Sequence, residues 1–249
     1  MDKKLTYFIS DIHLGSRCIA DPRAHERLVA DWLISIEPTA RALYILGDAL
    51  DFWYEYRTVV PRGFVRFFGA LARLADAGVK ITWLKGNHDV WIYDYLPTEI
   101  GLEVVDGVLD TVIDGRRFVM EHGDGVGEPR ASYRRMQRIF RNRTCQRLFA
   151  AIHPRWTVEF AHRWSAHSRE GGQEASPVIG EDDPLRIFAR RYAEEHGRVD
   201  FFVFGHRHIK AEMKLENGST LILLGDAFRQ MTYGVFDGEN FDIRRIYRN

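Results

Sequence analysis

The 249-residue sequence predicts an α/β fold with mixed strands, arranged as a sandwich of two sheets. Apolar strand-like runs alternate with amphipathic helical stretches through residue 86, which argues for a sheet covered on both faces. From residue 102 onward, short strands punctuated by Asp-Gly and Asn-Gly pairs take over, the mark of antiparallel additions. Several apolar runs also end in small clusters of polar side chains, a pattern returned to below.

The first strand is "LTYFIS" (5–10) and the second "ALYILG" (42–47). Between them "PRAHERLVADWLISIE" puts Leu28, Trp32 and Ile36 on one helical face, with Val29 and Leu33 beside it. A second helix is predicted in "GFVRFFGALARLADAG" (63–78), stopped by Gly78, and "VKITWLKG" (79–86) is the third strand. "LEVVDGVLDTVIDGRRFVMEHGD" reads as short strands with turns at Asp106-Gly107 and Asp114-Gly115. A helix at about 183–196 precedes the strand of "VDFFVFGH". "KAEMKLENGSTLILLGD" is a hairpin turning on Asn217-Gly218, and "YGVFDGENFDIRRIY" a final hairpin. "EGGQEASPVIGEDDP" (170–184) is expected to be a mobile loop.

Composition narrows the function classes. Hydrophobic residues make up 45% and charged residues 28%, with a formal net charge of zero, so no global attraction to nucleic acid is indicated. Cys18 and Cys145 form no metal-type pair and are expected as free thiols in a reducing cytosol. The apolar run before Asp11 is too short for a signal peptide, and no run reaches the ~20 residues of a spanning helix. A cytoplasmic protein is expected, at most resting on a membrane surface.

The strand ends carry the chemistry. The first gives Asp11-Ile12-His13, the second Gly47-Asp48 with Asp51 after it, and the third Gly86-Asn87-His88-Asp89. Later strands end in Glu121-His122-Gly123-Asp124 and Gly205-His206-Arg207-His208. In open α/β sheets, sites lie beyond the carboxyl ends of the strands. If these segments stay extended, alternate side chains share a face, so His206 and His208 point together and Arg207 points away. The donors are carboxylate, imidazole and amide oxygen without cysteine, which suits Mn, Fe or Zn better than an all-oxygen calcium site. Seven donors exceed one tetrahedral ion but suit two ions sharing a carboxylate. Such a pair, roughly 3.5–4 Å apart, holds a hydroxide between its ions and clamps a phosphoryl group.

In order, "DIH", "GDALD", "GNHD", "HGD" and "GHRH" resemble the motifs of the calcineurin-like metallophosphoesterases, from residue 5 to about 226. The resemblance implies a four-layer sandwich of two mixed sheets flanked by helices, holding two divalent cations, with Mn the leading choice. It implies Asp11, His13, Asp48 and His208 on one cation and Asp48, Asn87, His122 and His206 on the other. His88 would stabilise the phosphorane or protonate the leaving group. Asp48, Asn87 and His88 are thus the catalytic candidates. Within this superfamily the chain most resembles the UDP-2,3-diacylglucosamine diphosphatases of lipid A biosynthesis, through "DIHLG" and a long helical insertion between "HGD" and "GHRH". That implies cleavage to UMP and 2,3-diacylglucosamine 1-phosphate, with no covalent enzyme intermediate. The alternative is a metallophosphoesterase acting on another nucleotide or phosphodiester.

The expected division is a core of residues 1–125 and 180–249, with 126–179 a helical lid. Residues 130–169 hold ten arginines, no lysine and one acid, Glu159. Leu148, Ile152, Trp156, Phe160 and Trp164 recur every four residues, with Pro154 opening a new helix. Either this stripe docks the helices on the core, or it lines a groove for acyl chains with arginines meeting diphosphate or anionic lipid. The second reading puts the protein peripherally on the cytoplasmic face of the inner membrane. No obligate protein partner and no nucleic acid is expected. By resemblance the substrate-binding set is Asn87, His88, Tyr133, Ser168 and His206. Departures from that group are His88 where many members have Arg, Arg130 for an acid, and Gly172 and Ala175 for an Asn and a Lys. Trp53, Tyr54 and Tyr56 offer either rings for a uracil or rim packing. Asp51 and Asp124 are expected to orient ligand histidines. His153, His162 and His167 are expected as polar helix positions.

Overall fold

The computed structural model describes residues 4–126, 130–157, 159 and 180–247. Three parallel strands, β1 (Leu5–Ile9), β2 (Ala40–Leu46) and β3 (Lys80–Leu84), are linked by α1 (Pro22–Ile36) and α2 (Val65–Asp76). The short α3 (Tyr95–Ile100) leads to β4 (Glu103–Val105), parallel to β3. The second sheet starts with β5 (Leu109–Ile113), antiparallel to β6 (Arg116–Glu121). Helices α4 (Ala131–Arg141), α5 (Arg143–Ala150) and α6 (Pro184–His196) follow. The parallel strand β7 (Phe201–Phe204) comes next, then the hairpin of β8 (Lys210–Lys214) and β9 (Thr220–Leu224). The last hairpin, β10 (Thr232–Phe236) and β11 (Phe241–Arg245), returns to the first sheet. The orders are β11-β10-β1-β2-β3-β4 and β5-β6-β7-β9-β8.

Period-two alternation builds the layers. In β1, Tyr7 and Ile9 join Leu33, Phe67 and Leu71 of the helices on the outer face. Phe8 turns inward to Phe118, Val203, Ile222 and Phe236 between the sheets. In β7, Phe202 and Phe204 pack outward against Leu185 and Ala189 of α6. The result is helix, sheet, sheet, helix. Asp-Pro pairs start two of the helices: Asp21 accepts from the Ala24 amide at 2.9 Å and Asp183 from that of Leu185 at 3.0 Å.

Both predicted hairpins form. Asp106-Gly107, however, carries the chain from β4 in one sheet to β5 in the other, so it joins no antiparallel pair. Asp114-Gly115, with φ of 48° and 76°, closes the β5–β6 hairpin, while at Asp106-Gly107 only the glycine has positive φ and the chain changes sheet. Both cysteines are free thiols, as expected. Of the segment 170–184, residues 170–179 lie outside the described residues.

An aromatic stack ties the two sheets. Phe118 lies between Phe201, at 4.8 Å between ring centroids, and Phe8, at 5.8 Å, with Phe236 edge-on at 5.0 Å. Phe118→Ala is expected to cost about 3–5 kcal/mol, read as a lower midpoint in equilibrium chemical denaturation.

Candidate metal centre

Parallel β1, β2 and β3 end beside β6 and β7, and backbone bonds continue the pairing past each end. The Asp11 amide donates to Gly47 O at 3.1 Å, that of His13 to Asp48 O at 2.9 Å, and that of Gly205 to His122 O at 2.8 Å. The expectation of extended segments fails here. Asp11, His13, Asp48, His206 and His208 all have φ between 50° and 63°. The left-handed region costs a non-glycine residue on the order of 1–3 kcal/mol. Those kinks send His206 and His208 into different groups. Ligand atoms of Asp11, His13 and His208 lie within 4.8 Å of one another, as do those of Asp48, His122 and His206. Arg207 does point away, to Asp183 at 2.7 Å.

Each carboxylate has one oxygen held and one presented. Asp11 Oδ2 accepts from Ser10 Oγ at 2.6 Å and from the His206 amide at 2.9 Å, linking the two sheets. Its Oδ1 faces His208 Nε2 at 3.0 Å and His13 Nε2 at 3.7 Å. Asp48 Oδ1 accepts the His88 amide at 2.9 Å. Its Oδ2 meets Nε2 of His122 at 3.2 Å, of His88 at 3.9 Å and of His13 at 4.0 Å. His122 Nδ1 donates to Leu46 O at 2.7 Å, which leaves Nε2 to the centre.

Burial pushes the Asp48 carboxyl up, but His122, His88 and His13 outweigh it and hold it far below the usual carboxylate range. Burial also opposes ionisation of Asp11, and hydrogen bonds to His13 and His208 overcome it. For His122, burial favours the neutral ring, yet the Asp48 charge raises it well above an ordinary imidazole. Burial and the neighbouring His122 push His206 down to about 4.

These residues fit cations. Asn87 Oδ1 is buried without a hydrogen-bond partner, Asp11 Oδ1 and His122 Nε2 face only other groups of the centre, and Nε2 of His13 and His208 face each other at 3.2 Å. Buried acceptors that converge in this way call for positive charge among them. Glycine makes the approach possible: a Cβ on Gly205 would sit 1.9 Å from Ser10 Oγ and 2.6 Å from Asp11 Oδ2, and one on Gly86 2.2 Å from Asp48 Oδ1.

His88 lies at the edge of the centre, its Nδ1 2.9 Å from Asp51 O. Asp51 Oδ1 lies 3.6 Å from His13 Nδ1, in line with an orienting role. Asp124 differs: its Oδ2 accepts from Gln137 of α4 at 2.7 Å, so that hydrogen bond goes to the insertion instead of to a histidine. Within Gly86-Asn87-His88-Asp89 no local signal sets Asp89 apart. It is fully buried and braces the site loops, accepting from Ala49, Gly86 and Trp83. The segment Gly225–Gln230 also went unassigned, although Gly225-Asp226 repeats the Gly-Asp signal after a strand. Its Ala227 amide donates to Asp11 O at 3.1 Å, and the Phe228 ring lies 5.4 Å from His13 and 5.3 Å from His208.

Tyr133 is on α4 with the Arg130 guanidinium 5.2 Å from its ring. Ser168, like His162, His167, Gly172 and Ala175, lies outside the described residues. His153 precedes the helical turn at 154–157, its Nδ1 accepting from the Arg155 amide at 3.2 Å. Trp53 is fully buried, and Tyr54 packs on Phe149 of α5 at 5.1 Å and donates to Gln146 O at 2.7 Å. Trp91, which no sequence signal singles out, stacks on Phe149 at 5.0 Å and donates to Phe140 O at 2.9 Å. So Phe140 and Phe149 dock the insertion. Leu148, Ile152 and Trp156 of the expected stripe are 67%, 45% and 68% exposed, and Phe160 and Trp164 lie outside the described residues.

Gly205→Ala is expected to displace Asp11 and lower divalent metal affinity about 10–100-fold, read by metal titration with elemental analysis, in a protein that keeps its far-ultraviolet dichroism.

Residues 5–210 match the profile of the calcineurin-like phosphoesterases. The chain is 42% identical over 245 residues to a protein of Porphyromonas gingivalis named UDP-2,3-diacylglucosamine hydrolase, covering 93% of this chain and 94% of the other. A protein of the same name from Ralstonia nicotianae is 34% identical, covering 88% of this chain and 82% of the other. One from Neisseria meningitidis serogroup B is 28% identical, covering 90% of each. With that match over most of its length and a cluster of carboxylates and imidazoles able to bind divalent metal, the chain belongs to the calcineurin-like phosphoesterase family.

Proposed function

We propose that the protein hydrolyses the diphosphate of UDP-2,3-diacylglucosamine, releasing UMP and 2,3-diacylglucosamine 1-phosphate. The observation that carries this reading is the 42% identity to a UDP-2,3-diacylglucosamine hydrolase over 93% of the chain, a span that takes in the insertion as well as the core. Asp11, His13, Asp48 and His208 hold one divalent cation; Asp48, Asn87, His122 and His206 hold the second, with Asp48 shared. Mn is the leading candidate, and Fe or Zn the others. When bound, the two ions supply a water of lowered pKa and neutralise phosphoryl oxygens.

The chain's own residues do the rest. The hydrogen bonds to Asp11 Oδ2, Asp48 Oδ1 and His122 Nδ1 fix each donor's orientation before substrate arrives. His88 keeps its Nδ1 against Asp51 O and its Nε2 on the side of Asp48, 3.9 Å from Oδ2, so Nε2 is the atom that meets a phosphoryl oxygen or the leaving group. Asn87 offers an amide to the same phosphate.

The insertion serves the lipid half. Its docking on Tyr54 and Trp91 leaves Leu148, Ile152 and Trp156 exposed beside arginines, a surface for acyl chains and an anionic membrane face. No described helix is long and apolar enough to cross a membrane, which is compatible with peripheral contact. Residues 126–179 then form a lid on a core of 1–125 and 180–249, with Tyr133 and Ser168 among its substrate contacts.

Hydrolysis in ¹⁸O-enriched water should place label in one phosphate product in a single turnover, and a phosphoenzyme trapped on denaturation would overturn the direct-attack reading. Asp48→Ala should lose essentially all activity together with bound metal; activity at the wild-type level in that variant would contradict the shared-ligand role. The Leu148→Ser, Trp156→Ser double variant should raise KM for the diacylated substrate and leave hydrolysis of a diester without acyl chains unchanged. An equal effect on both substrates would remove the lipid role of the exposed stripe.

A further inference from the structure

The segment between β9 and β10 places an unassigned cation one aromatic ring away from the imidazoles of the centre. Asp226, almost fully buried, accepts the backbone amides of Phe228, Arg229 and Gln230, which fixes the loop as a tight turn. Gln230 Nε2 donates to His208 O. The Phe228 ring meets the imidazoles of His13 and His208 nearly edge-to-face. The Arg229 guanidinium carbon lies 5.2 Å from the centroid of that same ring. One aromatic ring therefore separates an exposed arginine from two imidazoles of the centre.

Several other cations are engaged. Arg207 pairs with Asp183 at 2.7 Å, Arg17 with Glu159 at 2.7 Å, and Lys85 and Arg141 both with Asp106. Among the described residues no carboxylate pairs with Arg229. Its backbone is pinned by Asp226, its side chain rests on a ring, and its donors are available.

A diphosphate needs such a group. The metal centre around Asp48 takes one phosphate; the second, one bridging oxygen away, lies beyond it and needs a cation of its own. A guanidinium matches two phosphate oxygens at once and keeps its charge throughout the working pH range. We propose that Arg229 is a substrate-binding residue that takes the phosphate not under attack, and so selects diphosphates over substrates with a single phosphate. This rests on the diphosphatase reading above.

The test compares wild type, Arg229→Ala and Arg229→Lys with excess Mn²⁺, using UDP-2,3-diacylglucosamine and bis(p-nitrophenyl) phosphate as substrates, and UDP and UMP as inhibitors of diester hydrolysis. Arg229→Ala should lower kcat/KM for the diphosphate about tenfold or more, chiefly through KM, with partial recovery in Arg229→Lys. Diester turnover and bound metal should stay at wild-type levels, and UDP inhibition should weaken while UMP inhibition holds. Unchanged diphosphate kinetics, or equal loss on diester and diphosphate, would overturn the proposal. So would a wild-type enzyme that binds UDP no better than UMP. Because the inhibitor comparison uses diester turnover, it reads Arg229 even if UDP-2,3-diacylglucosamine proves not to be cleaved, an outcome that would fall on the parent reading alone.

Discussion

The arrangement turns on one contact, Asp48 Oδ2 against His122 Nε2 at 3.2 Å in a fully buried setting. Because His122 Nδ1 donates to Leu46 O, a neutral ring aims its Nε2 lone pair at a carboxylate oxygen. Two acceptors do not share so short a separation unless positive charge lies on or between them. In the bare chain the Asp48 charge favours a proton on His122, which raises that imidazole above its ordinary range. A divalent cation held among Asp48, His122 and His206 would supply it as well. The same demand recurs where Nε2 of His13 and His208 converge on Asp11.

Most of the fold can be seen as the cost and support of that convergence. Five residues that bear the donors sit in the left-handed region, a strain that survives because Asp11 and His13 pair with the β2 end at Gly47 and Asp48, the His206 amide is held by Asp11 Oδ2 and His208 O by Gln230. Asp11 does two jobs, offering one oxygen to the centre and receiving the His206 amide from the other sheet on the second. Rigid sheets, pinned by the aromatic stack around Phe118, keep the five strand ends in register; loops alone would not hold buried like charges this close.

Around this rigid centre the insertion is attached by its aromatic side. Tyr54 and Trp91 of the core accept Phe140 and Phe149, while the Gln137–Asp124 and Arg17–Glu159 contacts add polar fastening. Of the apolar positions that sequence periodicity singled out, the described ones, Leu148, Ile152 and Trp156, are left in solvent. An amphipathic pattern reports that a helix has an apolar side; it does not say whether that side meets the core, a ligand or a membrane.

Strand and helix placement, both late hairpins and the polar clusters at the strand ends were legible in the sequence, because they follow from local rules: apolar alternation, capping residues and Gly-rich strand ends. The approach of those clusters was legible only as an expectation from topology. Which layer the chain enters after Asp106-Gly107, the left-handed kinks that split His206 from His208, and the burial of Asp89 as a brace depend on contacts between residues far apart in sequence. Tertiary structure alone decided that Phe228 would touch the imidazoles and bring Arg229 beside them. No local pattern marks that segment beyond an ordinary Gly-Asp pair, and its meaning comes from the strand ends it happens to face.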